Sequence, residues 1–119
     1  MYEIKVSANF SSAHNLRGYR GKCEELHGHN WKVEILIRAK KLDKIGMLLD
    51  FKSVKDKLNA VLETLDHKYL NKIPYFAKVN PTSENIAKYI FDNLKALIPA
   101  LDSVTVWESD NSRATYSLE

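Results

Sequence analysis

The chain is nearly without cysteine, without long apolar runs and without an excess of either charge. One cysteine, Cys23, in 119 residues cannot close an intramolecular disulfide, which fits a reducing compartment such as the cytoplasm. No hydrophobic stretch approaches membrane-spanning length, and the first residues enter an alternating strand pattern directly. Neither a membrane span nor a signal peptide is therefore expected. Lys+Arg number 18 against 15 Asp+Glu, too slight an imbalance for nucleic-acid binding but compatible with a phosphorylated small substrate. Lys40-Lys41 reads as a solvated strand end. Internal repeats, low-complexity tracts and linkers are also missing, so residues 1–119 are expected to form one domain. That length buries a core but is short for an enzyme pocket built by one subunit.

Histidine is scarce too, with four in the chain, yet three of them gather around one stretch. His14 precedes Cys23-Glu24-Glu25-Leu26-His27-Gly28-His29. Residues two apart on a strand share a face, and Gly28 would let the backbone approach whatever His27 and His29 hold. Parity adds to this. Tyr2, Ile4, Val6, Ala8 and Phe10 are even and His14 shares their parity, while Trp31, Val33, Ile35 and Ile37 are odd, as are His27 and His29. If the two segments pair, all three imidazoles emerge near one end of the apolar face. Such a trio suits Zn²⁺ with a fourth position left for substrate or water. A lone histidine near a core is usually structural and an isolated H-x-H is a weak signal; matched parity and a nearby cysteine in a polar loop strengthen it.

The pattern along the chain predicts strands over residues 2–12 and 29–39, joined by a long polar loop from Asn15 to Leu26. Loops of that length usually serve function. Gly46 breaks the chain, with Met47-Leu48-Leu49 as a short extended piece. Phe51, Val54, Leu58, Val61, Leu62 and Leu65 then recur at helical spacing. Asp50 or Ser53 is the candidate cap, Ser53-x-x-Asp56 resembles a capping box, and the helix is expected to end near Asp66-His67. A second helix opens at Thr82, carries Ile86, Ile90, Leu94 and Leu97, and stops at Pro99. Ser103–Ser109 and Arg113–Leu118 alternate again around an Asp110-Asn111 turn. The order ββααββ makes an α+β domain with an antiparallel four-stranded β-sheet and both helices on one face. Its two open edges invite oligomerisation.

Three further groups can carry chemistry. Cys23 lies among charged neighbours; it is a base or nucleophile if a nearby cation favours its thiolate, or a fourth zinc ligand that would close the site. Asp66-His67 either stabilises a helix terminus through the dipole or is an acid/base pair, Asp66 fixing the His67 tautomer. Glu108 shares parity with Val104 and Val106 and would need a partner if it points inward; a pterin or guanine edge offers the paired N–H donors that a carboxylate matches. Otherwise the strand bulges there and Glu108 is exposed.

Together these residues resemble the 6-pyruvoyltetrahydropterin synthase family, most closely its bacterial and archaeal branch, the 6-carboxy-5,6,7,8-tetrahydropterin synthases of queuosine biosynthesis. The resemblance covers essentially the whole chain. It runs through Phe10-Ser11-Ser12-Ala13-His14, Cys23-x3-His27-Gly28-His29, Gly46-Met47-Leu48-Leu49-Asp50-Phe51, Leu65-Asp66-His67, Asn80-Pro81-Thr82-Ser83-Glu84-Asn85 and Val106-Trp107-Glu108. It implies the tunnelling fold (T-fold), in which sheets from several subunits join into a barrel and two trimers stack into a homohexamer, with active sites at subunit interfaces.

For the site, the resemblance implies zinc on His14, His27 and His29, proton transfer by Cys23, Asp66 and His67, and Glu108 anchoring the pterin. The implied reaction converts 7,8-dihydroneopterin triphosphate to 6-carboxy-5,6,7,8-tetrahydropterin, acetaldehyde and triphosphate. Relatives that make a folate precursor use a glutamate three residues before His-Gly-His, the place of Glu24 here, so a 6-hydroxymethyldihydropterin product is an alternative. A 6-pyruvoyl product is another, and a pterin-binding protein with structural zinc is the non-enzymatic one.

Overall fold

Two long strands form first in the chain and place everything that follows. In the computed structural model, which describes residues 1–22 and 24–119, β1 spans Tyr2–His14 and β2 spans His27–Ala39. They pair antiparallel over their whole length, from Tyr2 opposite Ala39 to His14 opposite His27. Both strands are longer than the alternation alone predicts, because pairing continues through Ser12, His14 and His27 after the aliphatic pattern stops. Residues 15–22 and 24–26 lie between the two strands in sequence and outside both. Cys23 lies outside the described residues, and so do the roles expected of it.

β3 (Leu101–Ser109) pairs with β2, and β4 (Ser112–Ser117) pairs with β3 through a turn at Asp110-Asn111. The result is one antiparallel sheet in the order β1-β2-β3-β4. Between β2 and β3 come α1 (Phe51–Leu62) and α2 (Ser83–Lys95), with two short 3₁₀ turns at Leu70–Lys72 and Pro74–Ala77. This is the ββααββ order of the tunnelling fold.

Period decides which face is covered. Val6 and Phe10 of β1, Trp31, Val33, Ile35 and Ile37 of β2, and Val104 and Val106 of β3 are buried under Val54, Leu58, Ile86, Ile90 and Leu94 of the helices. At roughly 1.5–3 kcal/mol per buried large apolar side chain, this layer is the main stabilising term. The opposite face stays polar, with Lys5 bridging Glu34 at 3.0 Å and Lys32 and Arg113 flanking the Trp107 ring.

Several local expectations change. Asp50 caps α1 by accepting from the Ser53 amide at 3.2 Å. Ser53 is not the cap, and Asp56 pairs with Lys52 at 3.2 Å instead of closing a capping box. The helix ends at Leu62, four residues before Asp66, because the chain turns to lay residues 63–69 against β1. Met47-Leu48-Leu49 is not a strand; the Asp43 carboxylate gathers the Ile45 and Met47 amides into a turn there. Thr82 caps α2 as its position implies, accepting from the Asn85 amide at 3.1 Å. The helix stops at Lys95 before Pro99, so Leu97 is exposed and Ile98 takes the core place.

Candidate metal centre

His14 is the last residue of β1, and His27 and His29 are the first and third of β2. The register sets His14 opposite His27 and Ser12 opposite His29. The three rings meet edge to face, their centroids 4.7–5.2 Å apart. Trp31 forms the floor, its ring 4.9 Å from His14 and 5.0 Å from His29. Gly28 contributes less than expected. A side-chain carbon there would meet only the Ser12 carbonyl at 3.8 Å, an ordinary contact.

Backbone carbonyls orient two of the rings. His14 Nδ1 lies 2.7 Å from the Pro81 carbonyl and His27 Nδ1 lies 2.9 Å from the Glu25 carbonyl. A carbonyl only accepts, so each Nδ1 carries the proton and each Nε2 presents a lone pair. Those two lone pairs face each other at 3.1 Å. His29 Nε2 is buried and has no hydrogen-bond partner among the described residues. An orphaned nitrogen and two opposed lone pairs are costly by themselves and are relieved by one cation.

The spacing fits a tetrahedral metal ion. Bonds of about 2.0–2.1 Å at tetrahedral angles put donor atoms about 3.3 Å apart, close to the 3.1 Å observed between His14 and His27. Burial pushes the His14 imidazole below its ordinary pKa, with His27 adding to the shift and the Pro81 carbonyl and Glu108 opposing it. A neutral imidazole is the form that ligates a metal. Carbonyls so placed are the kind of outer partner that fixes the tautomer of a metal-binding histidine.

Glu108 joins this group. The ladder between β3 and β4 slips between Trp107 and Ser109, so Glu108 is the extra residue of a bulge, a device that re-aims a side chain. Both readings of parity were partly right: the strand bulges, and the carboxylate still turns inward. Its Oε1 is 2.9 Å from His29 Nε2 and 3.7 Å from His14 Nε2, the former too poorly aligned for a hydrogen bond. The donor atoms of His14, His27, His29 and Glu108 all lie within 4.8 Å of one another, a set that could hold a metal ion.

Asp66 and His67 are brought together, but elsewhere. His67 Nδ1 is 2.9 Å from Asp66 Oδ2. Asp66 Oδ1 accepts the Ser11 amide at 2.9 Å, and the Ser11 carbonyl accepts the His67 amide. The Ser11 amide holds the Asp66 carboxyl below its ordinary pKa, partial desolvation opposes it, and the His67 side chain lowers it further. The pair sits on the outer edge of β1 with the His67 side chain 82% exposed, and it makes no described contact with the three imidazoles. His67 also has φ +53°, a left-handed backbone that residues other than glycine enter at a cost, though histidine, like Asn and Asp, enters it more often than most.

Glu24, the alternative acid, has its carboxylate 3.2 Å from the Leu16 amide and 3.9 Å from His27 Nδ1. It ties the loop shut. Asn15 bonds the Glu24 carbonyl, the Tyr69 hydroxyl and Asn71 in the same half-buried network. The carbonyls of Glu25 and Pro81, the Trp31 floor and Ser83, whose hydroxyl lies 3.5 Å from Glu108 Oε2, were not legible as site groups. Backbone carbonyls leave no mark in residue types, and Trp31 reads as core.

A cluster of three imidazoles that could hold a metal ion, at the end of a ββααββ antiparallel sheet, marks a domain of the tunnelling-fold class. The chain belongs to the 6-pyruvoyl tetrahydropterin synthase family, whose profile matches residues 3–119. It is 38% identical over 115 residues to the 6-pyruvoyl tetrahydrobiopterin synthase of Homo sapiens, covering 92% of this chain and 79% of that protein. It is 37% identical over 122 residues to the 6-carboxy-5,6,7,8-tetrahydropterin synthase of Synechocystis, covering 98% and 93%. The 6-pyruvoyl tetrahydropterin synthase structure of Caenorhabditis elegans superposes with a TM-score of 0.87 at 27% identity, over 99% of this chain and 96% of that one. No described helix is long and apolar enough to cross a membrane.

Proposed function

We propose that this chain, a single pterin-synthase domain over residues 1–119, is a zinc-dependent lyase of the cytoplasm. It converts 7,8-dihydroneopterin triphosphate and one water to 6-carboxy-5,6,7,8-tetrahydropterin, acetaldehyde and triphosphate in queuosine biosynthesis. The observation that carries the reading is the convergence of three imidazoles with Nδ1 fixed on two of them and an orphaned Nε2 on the third. His14, His27 and His29 hold the metal. Zinc there supplies Lewis-acid polarisation of the substrate's side-chain oxygens.

The chain's own groups do the rest. Cys23 takes a proton from the substrate side chain. His67 manages the second transfer, with Asp66 fixing its tautomer from Nδ1 and leaving Nε2 for the substrate. Glu108 pairs with the N–H edge of the pterin ring. The exposed Asp66-His67 pair on the edge of β1 makes no described contact with its own chain's imidazoles, so we assign it to the metal centre of a neighbouring chain. That arrangement accords with a homohexamer built as a dimer of trimers through the open edges of β1 and β4.

The 37% identity to the Synechocystis protein over 98% of this chain, and 42% over 91 residues to a putative 6-carboxy-5,6,7,8-tetrahydropterin synthase of Archaeoglobus fulgidus, support the 6-carboxy product. The 38% identity to the human protein keeps the 6-pyruvoyl product as the second reading. The folate-type product through Glu24 is less favoured, because that carboxylate is engaged by the Leu16 amide. Incubation of the zinc-loaded protein with dihydroneopterin triphosphate, followed by mass identification, tests the choice. Acetaldehyde with 6-carboxytetrahydropterin is expected. A 6-pyruvoyl or 6-hydroxymethyl product overturns the assignment, and zinc bound through sulfur without turnover points to the structural-zinc alternative.

A further inference from the structure

His14 takes its orientation from one carbonyl, and neither a helix nor a strand holds that carbonyl in place. Pro81 precedes the Thr82 cap of α2 and follows the 3₁₀ turn at Pro74–Ala77. Residues 78–81 therefore lie outside every regular element, with no ladder to set their amide and carbonyl groups. Yet Pro81 is buried, and its carbonyl sits 2.7 Å from His14 Nδ1. An outer partner orients a ligand only when its own position is locked by packing and hydrogen bonds.

Arg17 and Asn80 supply the lock. Asn80 Oδ1 accepts the Arg17 amide at 2.9 Å and Nε at 3.2 Å, and Asn80 Nδ2 donates to the Arg17 carbonyl at 2.9 Å. The half-buried guanidinium also donates to the carbonyls of Phe76 and Val79, a planar fork meeting several acceptors at once. The Asn80 carbonyl accepts the Thr82 amide at 2.8 Å and the Asn85 side chain at 2.9 Å. The carbonyls of residues 76, 79, 80 and 81 are thus all engaged, the first two by Arg17 and the last by His14. The stretch that carries the ligand also grips the loop that orients it.

A second asparagine offers a comparison within the molecule. Asn71 Oδ1 accepts the Asn15 amide at 3.1 Å, and Asn71 Nδ2 donates to the Asn15 carbonyl at 2.8 Å. It makes the same pair of main-chain bonds as Asn80. Among the described residues, however, no imidazole bonds a carbonyl of its loop; those that hold His14 and His27 belong to residues 81 and 25.

We infer that Arg17 and Asn80 are positioning residues of the metal centre: their clasp holds the Pro81 carbonyl against His14 and keeps His14 Nε2 presented to the ion. The inference rests on the zinc-dependent reading above for the ion, but not for the orientation of the ring.

The test sets Asn80→Ala beside Asn71→Ala. Both should lower the urea midpoint, since each removes a pair of main-chain bonds. Zinc affinity, measured by competition with a chromophoric chelator, should weaken at least about tenfold in Asn80→Ala, the scale on which outer partners of a ligand are felt. It should stay at the wild-type value in Asn71→Ala. Arg17→Lys keeps the main-chain bonds to Asn80 but loses the fork. It should weaken zinc in the same direction and less, and it carries the test if Asn80→Ala does not fold. A second readout needs no metal. By nitrogen NMR of zinc-free protein with isotope-labelled histidine, at a pH where imidazoles are neutral, His14 should be the Nδ1–H tautomer in wild type and Asn71→Ala. In Asn80→Ala it should be a mixture of both tautomers.

Wild-type zinc affinity in Asn80→Ala, or an equal loss in Asn71→Ala, overturns the inference and leaves the clasp as loop structure only. So does an unmoved tautomer signal in Asn80→Ala. A wild-type protein that takes up no zinc overturns the functional reading instead, and the tautomer comparison then decides the clasp alone.

Discussion

Two histidine-containing sites in this chain are built in opposite ways. The trio of His14, His27 and His29 stands on paired strands, with two of its rings oriented by carbonyls of residues 25 and 81. Its three donors converge within one chain. Asp66-His67 stands on a turn at an open sheet edge, with its histidine side chain largely in solvent and its backbone in a left-handed conformation. The first site is preorganised by packing. The second is presented outward, which is how a chain offers a group to something beyond itself. Ligands gain from rigid burial, whereas a group shared across an interface must face out until the partner docks.

The comparison breaks most completely at the ligands. His27→Ala or His29→Ala should lose the metal and all measurable turnover, because two remaining imidazoles no longer fill an adequate set. Metal analysis after gel filtration checks this. Retention of one zinc per chain in either variant would remove the trio from the centre.

His67→Ala and Cys23→Ala should keep the metal and lose about 10²–10⁴-fold in rate, the usual contribution of an acid–base group. The sharper version mixes chains. If His67 serves a neighbour's centre, His29→Ala and His67→Ala are each inactive, yet co-assembled chains should regain activity as about one site in four becomes complete. No recovery on mixing would place His67 with its own chain's metal or outside catalysis.

These sites also show what the residues could and could not disclose. Parity placed His14, His27 and His29 on the apolar face and offered Glu108 there as one of two readings; Thr82 located the start of α2, and Asp50 was one of two caps offered for α1. Both signals are local and periodic. The bulge that aims Glu108 arises from pairing between β3 and β4, and the early end of α1 arises from docking of residues 63–69 on β1. Those are long-range events that leave the local pattern unchanged. The separation of Asp66-His67 from the trio has the same origin: adjacency in a family motif carries no information about which side of a strand the turn occupies.

A smaller effect concerns acid. The Ser11 amide, ahead of the His67 side chain, lowers the Asp66 carboxyl in the folded protein while desolvation works against it. A depressed folded pKa means that the unfolded chain binds the proton more readily. The contribution to stability is therefore present above the ordinary carboxyl value of about 3.9 and is lost as pH falls through the folded one. Wild type should lose stability more steeply than Asp66→Asn below about pH 4 in denaturant titrations. Parallel curves would mean that the Ser11 contact adds nothing to folding.

The least effect separates the backbone of His67 from its side chain. Its φ of +53° costs an L-residue about 1–2 kcal/mol relative to right-handed backbone, and glycine escapes that cost at the expense of a floppier unfolded chain. His67→Ala keeps the strain and removes the imidazole; His67→Gly removes both. Both variants should show the same loss of about 10²–10⁴-fold in rate, since neither carries the imidazole. In urea unfolding, however, His67→Gly should be more stable than His67→Ala by about 0.5–1 kcal/mol. The opposite order would show that the turn at the β1 edge is relaxed as built. The expected order would show that the outward-facing site is held strained in the free chain, unlike the imidazole trio, whose strands are extended throughout.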